Sequence, residues 1–410
     1  MAVVVVSFIA AEFAHAFRET ILWFVDTAYG NRNSTEAMAA VRVVLPVAFI
    51  TAGILCARWI NLTAESWHAG RIGLPAIEHA AHGDGSGPSL RGTLMKSAAT
   101  LAACMPGTSL GRESAILETG GAVGFSVARL ARVDPVALAC AGIGAGFASA
   151  YHAPFGAVAY VGGHLGVTRN RRAMVHAAMG AAVGNFVTVR FLGGHPIFPG
   201  AHASVVATSV LGAIAIVPAI VGSRLFVRVR EQMPKVRIVR EHPRAFLVAG
   251  IAVSVATVLI APLSAGNGME AIRHVAVGGS IAVAVSLGIG KLLATSATLG
   301  TRSPGGVFAP TLAVSAGWIL ATYVGLESLG VDLPGAHWDG IVVGMAAGLA
   351  VGLNAPVLAG IVVAEMAGQV ALVPFTLVAA LVAHRIVTAV NRAEESHDIT
   401  VPLDVHVEDA

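Results

Sequence analysis

The stretch that decides the fold is PGTSLGRESAILETGG, residues 106–121. Its glycines allow a tight turn, and the apolar run that follows predicts a helix starting near Arg112. The first N–H groups of a helix have no partner within the helix and lie at the positive end of its dipole, so they attract anions. Glu113 would lie there as a tethered anion. It either caps the helix, alone or paired with Arg112, or occupies a site that another anion can take.

The rest of the chain predicts an all-α polytopic membrane protein. Of its 410 residues, 56% are hydrophobic and only 12% are charged, whereas a soluble domain averages roughly 25% charged residues. Residues 245–269, 303–326 and 340–364 contain no Asp, Glu, Lys or Arg. Each stretch is long enough for the ~20 residues of a spanning helix. A carboxylate at membrane depth is costly, which favours a functional role for Glu113.

The N-terminus, MAVVVVSFIAAEFAHAF, has no basic segment before its apolar run and no small-residue cleavage site. We therefore expect a first membrane helix rather than a removable signal peptide. The net charge of +3 is not typical of a nucleic-acid-binding protein. Cys56, Cys104 and Cys140 lie in apolar surroundings and are expected to be buried and inert. Nothing in the sequence predicts a cofactor.

Two similar segments indicate that the chain consists of two related halves. AGFASAYHAPFGAVAYV, residues 145–161, aligns without gaps with AGLAVGLNAPVLAGIVV, residues 347–363. In both, one helix is predicted to end and another to start across an Ala-Pro step, with Pro154 or Pro356 in the first turn. Chance similarity between Ala- and Gly-rich helices is the alternative. Broken helices in two repeated halves predict a binding site between the halves.

A basic segment separates the two halves. The stretch RLFVRVREQMPKVRIVREHPR is rich in arginine, so the positive-inside rule predicts that it is cytoplasmic. The predicted organisation is a first half at residues 1–228, a cytoplasmic linker at 229–243, a second half at 244–400 and a short tail at 401–410.

The second half contains a helix start similar to the one at Glu113. In SPGGVFAPTLAVSAG, residues 303–317, Gly305 and Gly306 permit a close backbone approach, and a helix is predicted to open at Val307. Phe308 would then form a wall of the pathway. Together, the two helix starts are predicted to converge on one anion.

These motifs, in this order, resemble those of the CLC family of chloride channels and proton-coupled chloride transporters. The family's Gly-Arg-Glu-Gly-Pro motif corresponds to GRESA at residues 111–115, and its Gly-x-Phe-x-Pro motif is intact at residues 306–310. The Gly-Ser-Gly-Ile-Pro motif is degraded to RIGLP at residues 71–75. The resemblance extends from about residue 1 to residue 400.

The resemblance implies an antiparallel inverted repeat of two halves with broken helices, and a homodimer in the plasma membrane. Each subunit would hold one pathway for chloride or another small anion, coupled in the transporters to protons. Glu113 would be the gate. The amides near Ser114 and Ala115 would line the outer anion site, and those of Val307 and Phe308 the central one.

Four of the departures from the family pattern bear on anion binding and proton transfer. Ile72 takes the place of the serine whose hydroxyl binds the anion, and Ser396 lies near the place of the pore tyrosine. His164 lies near the place of the inner proton glutamate, where it could exchange protons or simply be solvated. Glu118 replaces an uncharged residue. Fluoride/proton antiporters of the same family also alter the serine motif and lack the inner glutamate, so fluoride is an alternative substrate.

The isoleucine at position 72 predicts weak binding of chloride at the central site. A hydrogen bond to a charged group contributes about 1.5–3 kcal/mol, and Ile72 cannot donate one. On the sequence alone, Ile72→Ser is therefore expected to tighten chloride binding in a calorimetric titration. Strong binding in the parent with no gain in the variant would contradict this expectation.

Two other motifs suggest different functions. Residues 107–111, GTSLG, match the nucleophile elbow of serine hydrolases, with Ser109 as the nucleophile; such an elbow follows a strand, whereas a helix is predicted here. An intramembrane hydrolase is thus a remote alternative to a transporter that is not an enzyme. His79, His82 and Asp84 have partial metal-ligand spacing, but a solvated loop is the expected structure, and no metal is predicted.

Overall fold

The structure is a computed structural model and describes residues 1–33, 36–38, 43–68, 70–83, 87–194, 196–198, 204–235, 241–276 and 278–399. Sixteen helices are described from end to end, and they fall into two series of eight. The first series comprises α1 (Ala2–Tyr29), α2 (Val44–Trp67), α3 (Gly73–Ala81), α4 (Leu90–Cys104), α5 (Glu113–Ala131), α6 (Pro135–Tyr151), α7 (Pro154–His164) and α8 (Arg171–Phe191).

The second series comprises α9 (Val205–Gln232), α10 (Pro243–Ile260), α11 (Met269–Ala276), α12 (Ile281–Gly300), α13 (Phe308–Ser328), α14 (His337–Leu353), α15 (Pro356–Met366) and α16 (Val373–Ile399). Helix α12 contains a π-helical turn at Ser286–Gly290. Short 3₁₀ turns lie at Met233–Lys235, Pro262–Ser264 and Val370–Leu372.

The order of helix lengths repeats from one series to the other. The first runs 28, 24, 9, 15, 19, 17, 11 and 21 residues. The second runs 28, 18, 8, 20, 21, 17, 11 and 27. The packing repeats as well: α6 contacts α1, α5 and α8, whereas α14 contacts α9, α13 and α16. The predicted all-α fold of two repeated halves is therefore confirmed.

The Ala-Pro steps have the same geometry in both halves. The residue that follows α6, His152, has φ 53°, and the residue that follows α14, Asn354, has φ 54°, both in the left-handed region. Two residues later, Pro154 and Pro356 open α7 and α15 in the position that suits a proline without an N–H. Both predicted helix breaks are confirmed.

The predicted linker at 229–243 begins in the last turn of α9, which continues to Gln232, and ends where Pro243 opens α10. Residues 236–240 and the tail at 401–410 lie outside the described residues. By helix length, the second series starts at α9, upstream of this linker. The proposed division at residue 228 stays a prediction.

In the described part of the chain, six helices are long and apolar enough to cross a membrane: α2, α9, α10, α12, α13 and the 370–394 segment that includes most of α16. Of the charge-free stretches, 245–269 and 303–326 contain α10 and α13. The stretch 340–364 does not form one spanning helix, because the Ala-Pro step divides it between α14 and α15. Helix α1 forms as predicted but is not among the six, since it carries Glu12, Arg18, Glu19 and Asp26.

Candidate anion site

The loops that precede α5 and α13 are joined by a backbone bridge. The Gly111 N–H donates to the Gly306 carbonyl at 2.9 Å, and the Gly306 N–H donates back to the Gly111 carbonyl at 2.7 Å. The two glycines thus form an isolated antiparallel pair. This pair holds the starts of one helix from each half next to each other, as the two sequence motifs predicted.

Both helix starts lack a side-chain cap. Helix α5 begins at Glu113 after Arg112, and α13 begins at Phe308 after Val307, in agreement with the predicted starts. Neither Arg112 nor Val307 offers a side-chain oxygen to the first N–H groups. Such groups can be satisfied by a ligand, so each terminus is suited to an anion.

The Glu113 carboxylate lies directly against this bridge. Glu113 is 5% exposed, and its Oε2 atom has no hydrogen-bond partner among the described residues. A Cβ atom added at Gly111 or Gly306 would overlap Oε2. The positive charges of Arg112 and Lys291 both act on the carboxylate. The gate residue of the sequence analysis therefore lies where the two helix starts meet, with one oxygen free to bind or leave.

Ser114 and Ala115 lie in the first turn of α5. The Ser114 hydroxyl is buried and lacks a partner within the described chain, and Ala115 is 1% exposed. Their predicted role in an outer anion site, and that of Val307 and Phe308 in a central one, stay predictions.

An aromatic cluster covers the start of α13. The Phe308 ring lies 4.6 Å from the Tyr151 ring and 5.8 Å from the Phe147 ring, measured between centroids. Tyr151 is 3% exposed, and its hydroxyl has no partner in the described structure. The sequence analysis did not identify Tyr151, although its position two residues before the first Ala-Pro step was visible.

A cavity of about 180 Å³ opens onto Glu113. Its wall carries three arginines, Arg18, Arg112 and Arg273, against the carboxylates of Glu113 and Glu270. A recess lined by an excess of positive charge raises the local concentration of anions. The cavity is therefore a suitable entrance to the two helix starts.

Lys291 is a site residue that the sequence analysis missed. It is fully buried on α12, and its Nζ donates to the carbonyls of Ser264, Ala265 and Gly266 at 3.0, 3.4 and 2.6 Å. The Gly266 N–H in turn donates to the Gly107 carbonyl at 3.0 Å. Lys291 thus fixes the loop behind the Glu113 turn. Its signal was a lone charge within the apolar stretch SLGIGKLLATSATLG.

The other predicted site residues lie further away. Ile72 precedes α3, whose first residue, Gly73, contacts Glu118 rather than Glu113. His164 ends α7, is exposed and stacks on Tyr160 with ring centroids 4.8 Å apart. The backbone of Ser396 belongs to α16, but its side chain lies outside the described residues. The roles of all three stay predictions.

Ser109 and His82 have ordinary structural partners. The Ser109 hydroxyl shares a hydrogen bond of 2.8 Å with Thr295, and helix α4 occupies the place of the strand before a nucleophile elbow. His82 contacts the Glu78 carbonyl through Nδ1 at 2.9 Å, while Asp84 lies outside the described residues. Cys104 and Cys140 are buried as expected, but Cys56 is exposed, because it lies on the outward face of α2.

The chain is similar to curated bacterial proteins over most of its length. It is 27% identical over 357 residues to the voltage-gated ClC-type chloride channel ClcB of Citrobacter koseri, which covers 83% of each chain. It is 25% identical over 387 residues to ClcB of Salmonella typhimurium, which covers 91% of each chain.

Solved structures share the fold at lower sequence identity. A slow cyanobacterial Cl⁻/H⁺ antiporter matches with a TM-score of 0.77 and 19% identity, over 95% of this chain and 94% of that one. A CLC-type fluoride/proton antiporter matches with a TM-score of 0.69 and 16% identity, over 94% of each chain. The model of the voltage gated chloride channel family matches residues 48–388. With the two bridged helix starts and the repeated halves, this match shows that the chain belongs to the voltage-gated chloride channel family.

Proposed function

We propose that this protein moves small anions, chloride first, across the plasma membrane by a pathway that Glu113 gates. The observation that carries the proposal is the carboxylate with an unpaired, buried oxygen at the point where α5 and α13 meet. An anion that enters from the arginine-lined cavity would bind the same N–H groups that Glu113 faces. The tethered carboxylate and the free anion therefore compete for one place.

Protonation provides the means to release the gate. An ionised carboxylate is attracted to the positive end of a helix dipole, whereas a neutral carboxyl group is not. A proton that binds Glu113 thus frees the terminus for an anion, and proton and anion movements become linked. His164, exposed at the end of α7, is the proposed inner group that exchanges protons with solution.

Fluoride is the second candidate substrate. Two departures from the family pattern support fluoride. Ile72, which cannot donate a hydrogen bond, replaces the family serine, and His164 takes the place of the inner glutamate. The fold is shared with a fluoride/proton antiporter as well as with a Cl⁻/H⁺ antiporter, so the fold does not discriminate between the two anions.

Paired flux measurements test the proposed function. The full-length protein is reconstituted into vesicles loaded with chloride or fluoride, and anion efflux is recorded together with proton movement. We expect anion efflux above that of protein-free vesicles, with the faster anion identifying the substrate. Equal leakage from both vesicle populations would contradict the proposal.

We also propose that the protein is a homodimer with one pathway in each subunit. An apolar groove of about 860 Å³ runs between α7, α8 and α15, and it includes Phe155 and Val357, which are 72% and 52% exposed. Two of these helices, α7 and α15, are the ones that open at the repeated Ala-Pro steps, and their small and branched apolar residues suit close packing within a membrane.

Crosslinking in mild detergent checks the dimer. In a background where the exposed Cys56 is replaced by serine, a cysteine placed at Val357 is expected to form a covalent dimer when a bifunctional thiol reagent is added. A cysteine at Val248, which is 67% exposed on α10, serves as the control and should remain monomeric. Monomers alone at both positions, also in single-molecule photobleaching, would contradict the homodimer.

A further inference from the structure

A second buried carboxylate of α5, Glu118, faces another helix start. Glu118 is 3% exposed, and its Oε1 accepts a hydrogen bond from Lys96 Nζ at 2.8 Å. Its Oε2 has no partner in the described part of the chain. The charge of Glu118 also acts on Tyr160 of α7. Oε1 of this carboxylate is therefore hydrogen-bonded, whereas Oε2 has no donor among the described residues.

The unpaired oxygen lies against the N-terminus of α3. The Cβ position of Gly73 is 2.6 Å from Glu118 Cδ and 2.7 Å from both carboxylate oxygens, so only a glycine allows this approach. Gly73 has φ 71°, which a glycine adopts readily. Ile72 precedes the helix and contributes no side-chain cap. The first N–H of α3, that of Gly73, donates to Thr93 Oγ1 at 3.4 Å. The carboxylate of Glu118 thus lies against the start of α3 without a hydrogen bond to it.

We propose that Glu118 is a built-in anion that occupies the position at the α3 terminus where a transported anion would otherwise bind. The inference rests on the proposed function, because it assumes an anion pathway. A small anion and a carboxylate are both attracted by the positive end of the same helix dipole. Lys96 neutralises the fixed charge and keeps it in place. At the α3 terminus, the pathway of this chain therefore holds a fixed carboxylate in place of an exchangeable anion.

A structural ion pair is the competing explanation, and anion binding separates the two. Chloride, and separately fluoride, is titrated into the detergent-solubilised full-length protein in a gluconate buffer, and heat is recorded. Glu118→Gln keeps an oxygen that accepts from Lys96 but removes the negative charge. We expect this variant to bind one more anion per subunit, or to bind with an apparent Kd about tenfold lower. Glu78→Gln, on the exposed face of α3, is the control and should match the parent.

Position 72 provides a second, independent readout. While Glu118 occupies the α3 terminus, a serine hydroxyl at position 72 would donate to the carboxylate and not to an incoming anion. The gain expected for Ile72→Ser from sequence alone should therefore be absent in the single variant. The gain in chloride affinity should be fully present in the double variant that combines Ile72→Ser with Glu118→Gln.

Several outcomes would overturn the inference. If Glu118→Gln melts at a lower temperature but binds anions with the parent's number and Kd, the Lys96–Glu118 pair is structural. Tighter binding by Ile72→Ser alone would equally show that the α3 terminus is not occupied. Should Glu118→Gln fail to fold, Lys96→Met with Glu118→Gln removes both charges, a replacement that proteins often tolerate, and it must show the same extra anion. Parent vesicles that leak no anion would refute the proposed function instead, whatever the binding data show.

Discussion

Glu113→Gln should abolish the acid activation of anion flux, together with the proton movement coupled to it. The amide has nearly the shape of the protonated carboxyl group, but its charge does not change with pH. An anionic group in a favourable, partly buried position at a helix terminus gains up to ~2 kcal/mol from the dipole, which corresponds to about 30-fold in occupancy. Flux near neutral pH should rise by up to that factor in a channel or a loosely coupled exchanger. In an obligatory exchanger, anion movement should stop.

The measurement is paired anion and proton flux from vesicles at several values between about pH 4.5 and about pH 7.5, a range in which carboxyl groups of proteins titrate. The matched control is Glu327→Gln, an exposed carboxylate on α13 that pairs with His337. The control should keep the parent's pH response. If Glu113→Gln keeps it too, with unchanged proton flux, then Glu113 only caps α5.

Gly306→Ala should open the pathway while the carboxylate of Glu113 is retained. The added methyl group would overlap Glu113 Oε2, whereas the other nearby atoms, Glu113 Cβ and Cδ, are 3.5 Å away. The group in conflict is thus the end of a flexible side chain, which can move. We expect the carboxylate to leave the bridge, so that flux at neutral pH increases several-fold and its dependence on pH is lost.

Two further glycine variants control this experiment. Gly325→Ala lies on α13, the helix that follows Gly306, and its added Cβ meets no atom within 4 Å, so it should behave like the parent. Gly111→Ala places a Cβ against Glu113 Oε2 as well, but also 2.6 Å from the backbone carbonyl oxygen of Gly306, which cannot move aside. It should weaken the bridge and destabilise the protein by about 1–3 kcal/mol. If Gly306→Ala lowers stability as Gly111→Ala does and leaves the pH response unchanged, the carboxylate does not hold the gate closed.

The helix starts of the site could be predicted from sequence because their signals are local. Glycines before Glu113 and Phe308 allow the turns, and prolines after Ala153 and Ala355 mark the breaks. The bridge between Gly111 and Gly306 could not be predicted, because a backbone pair between distant residues leaves no pattern in side chains. Composition alone also overestimated the helix length in the stretch 340–364. The absence of charged residues gives no information about a helix break at Asn354.

The buried charges of the site were harder to predict from the sequence than the helix starts. Lys291 was visible as a lone charge in an apolar helix, yet its partners are backbone carbonyls, which no residue type identifies. Glu118 was recognised as unusual, but its pairing with Lys96 and its contact with Gly73 depend on how α3, α4 and α5 pack. The positions were therefore readable from the sequence, whereas their electrostatic partners required the fold.

The bridge between the two halves also determines when the site can exist during synthesis. Next to the bridge, Ser109 and Thr295 share a hydrogen bond although they are 186 residues apart in the sequence. Chains emerge from the ribosome N-terminus first, and contacts between distant residues form late. A nascent first half would therefore carry an α5 start without its α13 partner, and the ion pathway would close around Glu113 only after α13 has been inserted. An unfinished chain could thus reside in the bilayer without a completed conducting route.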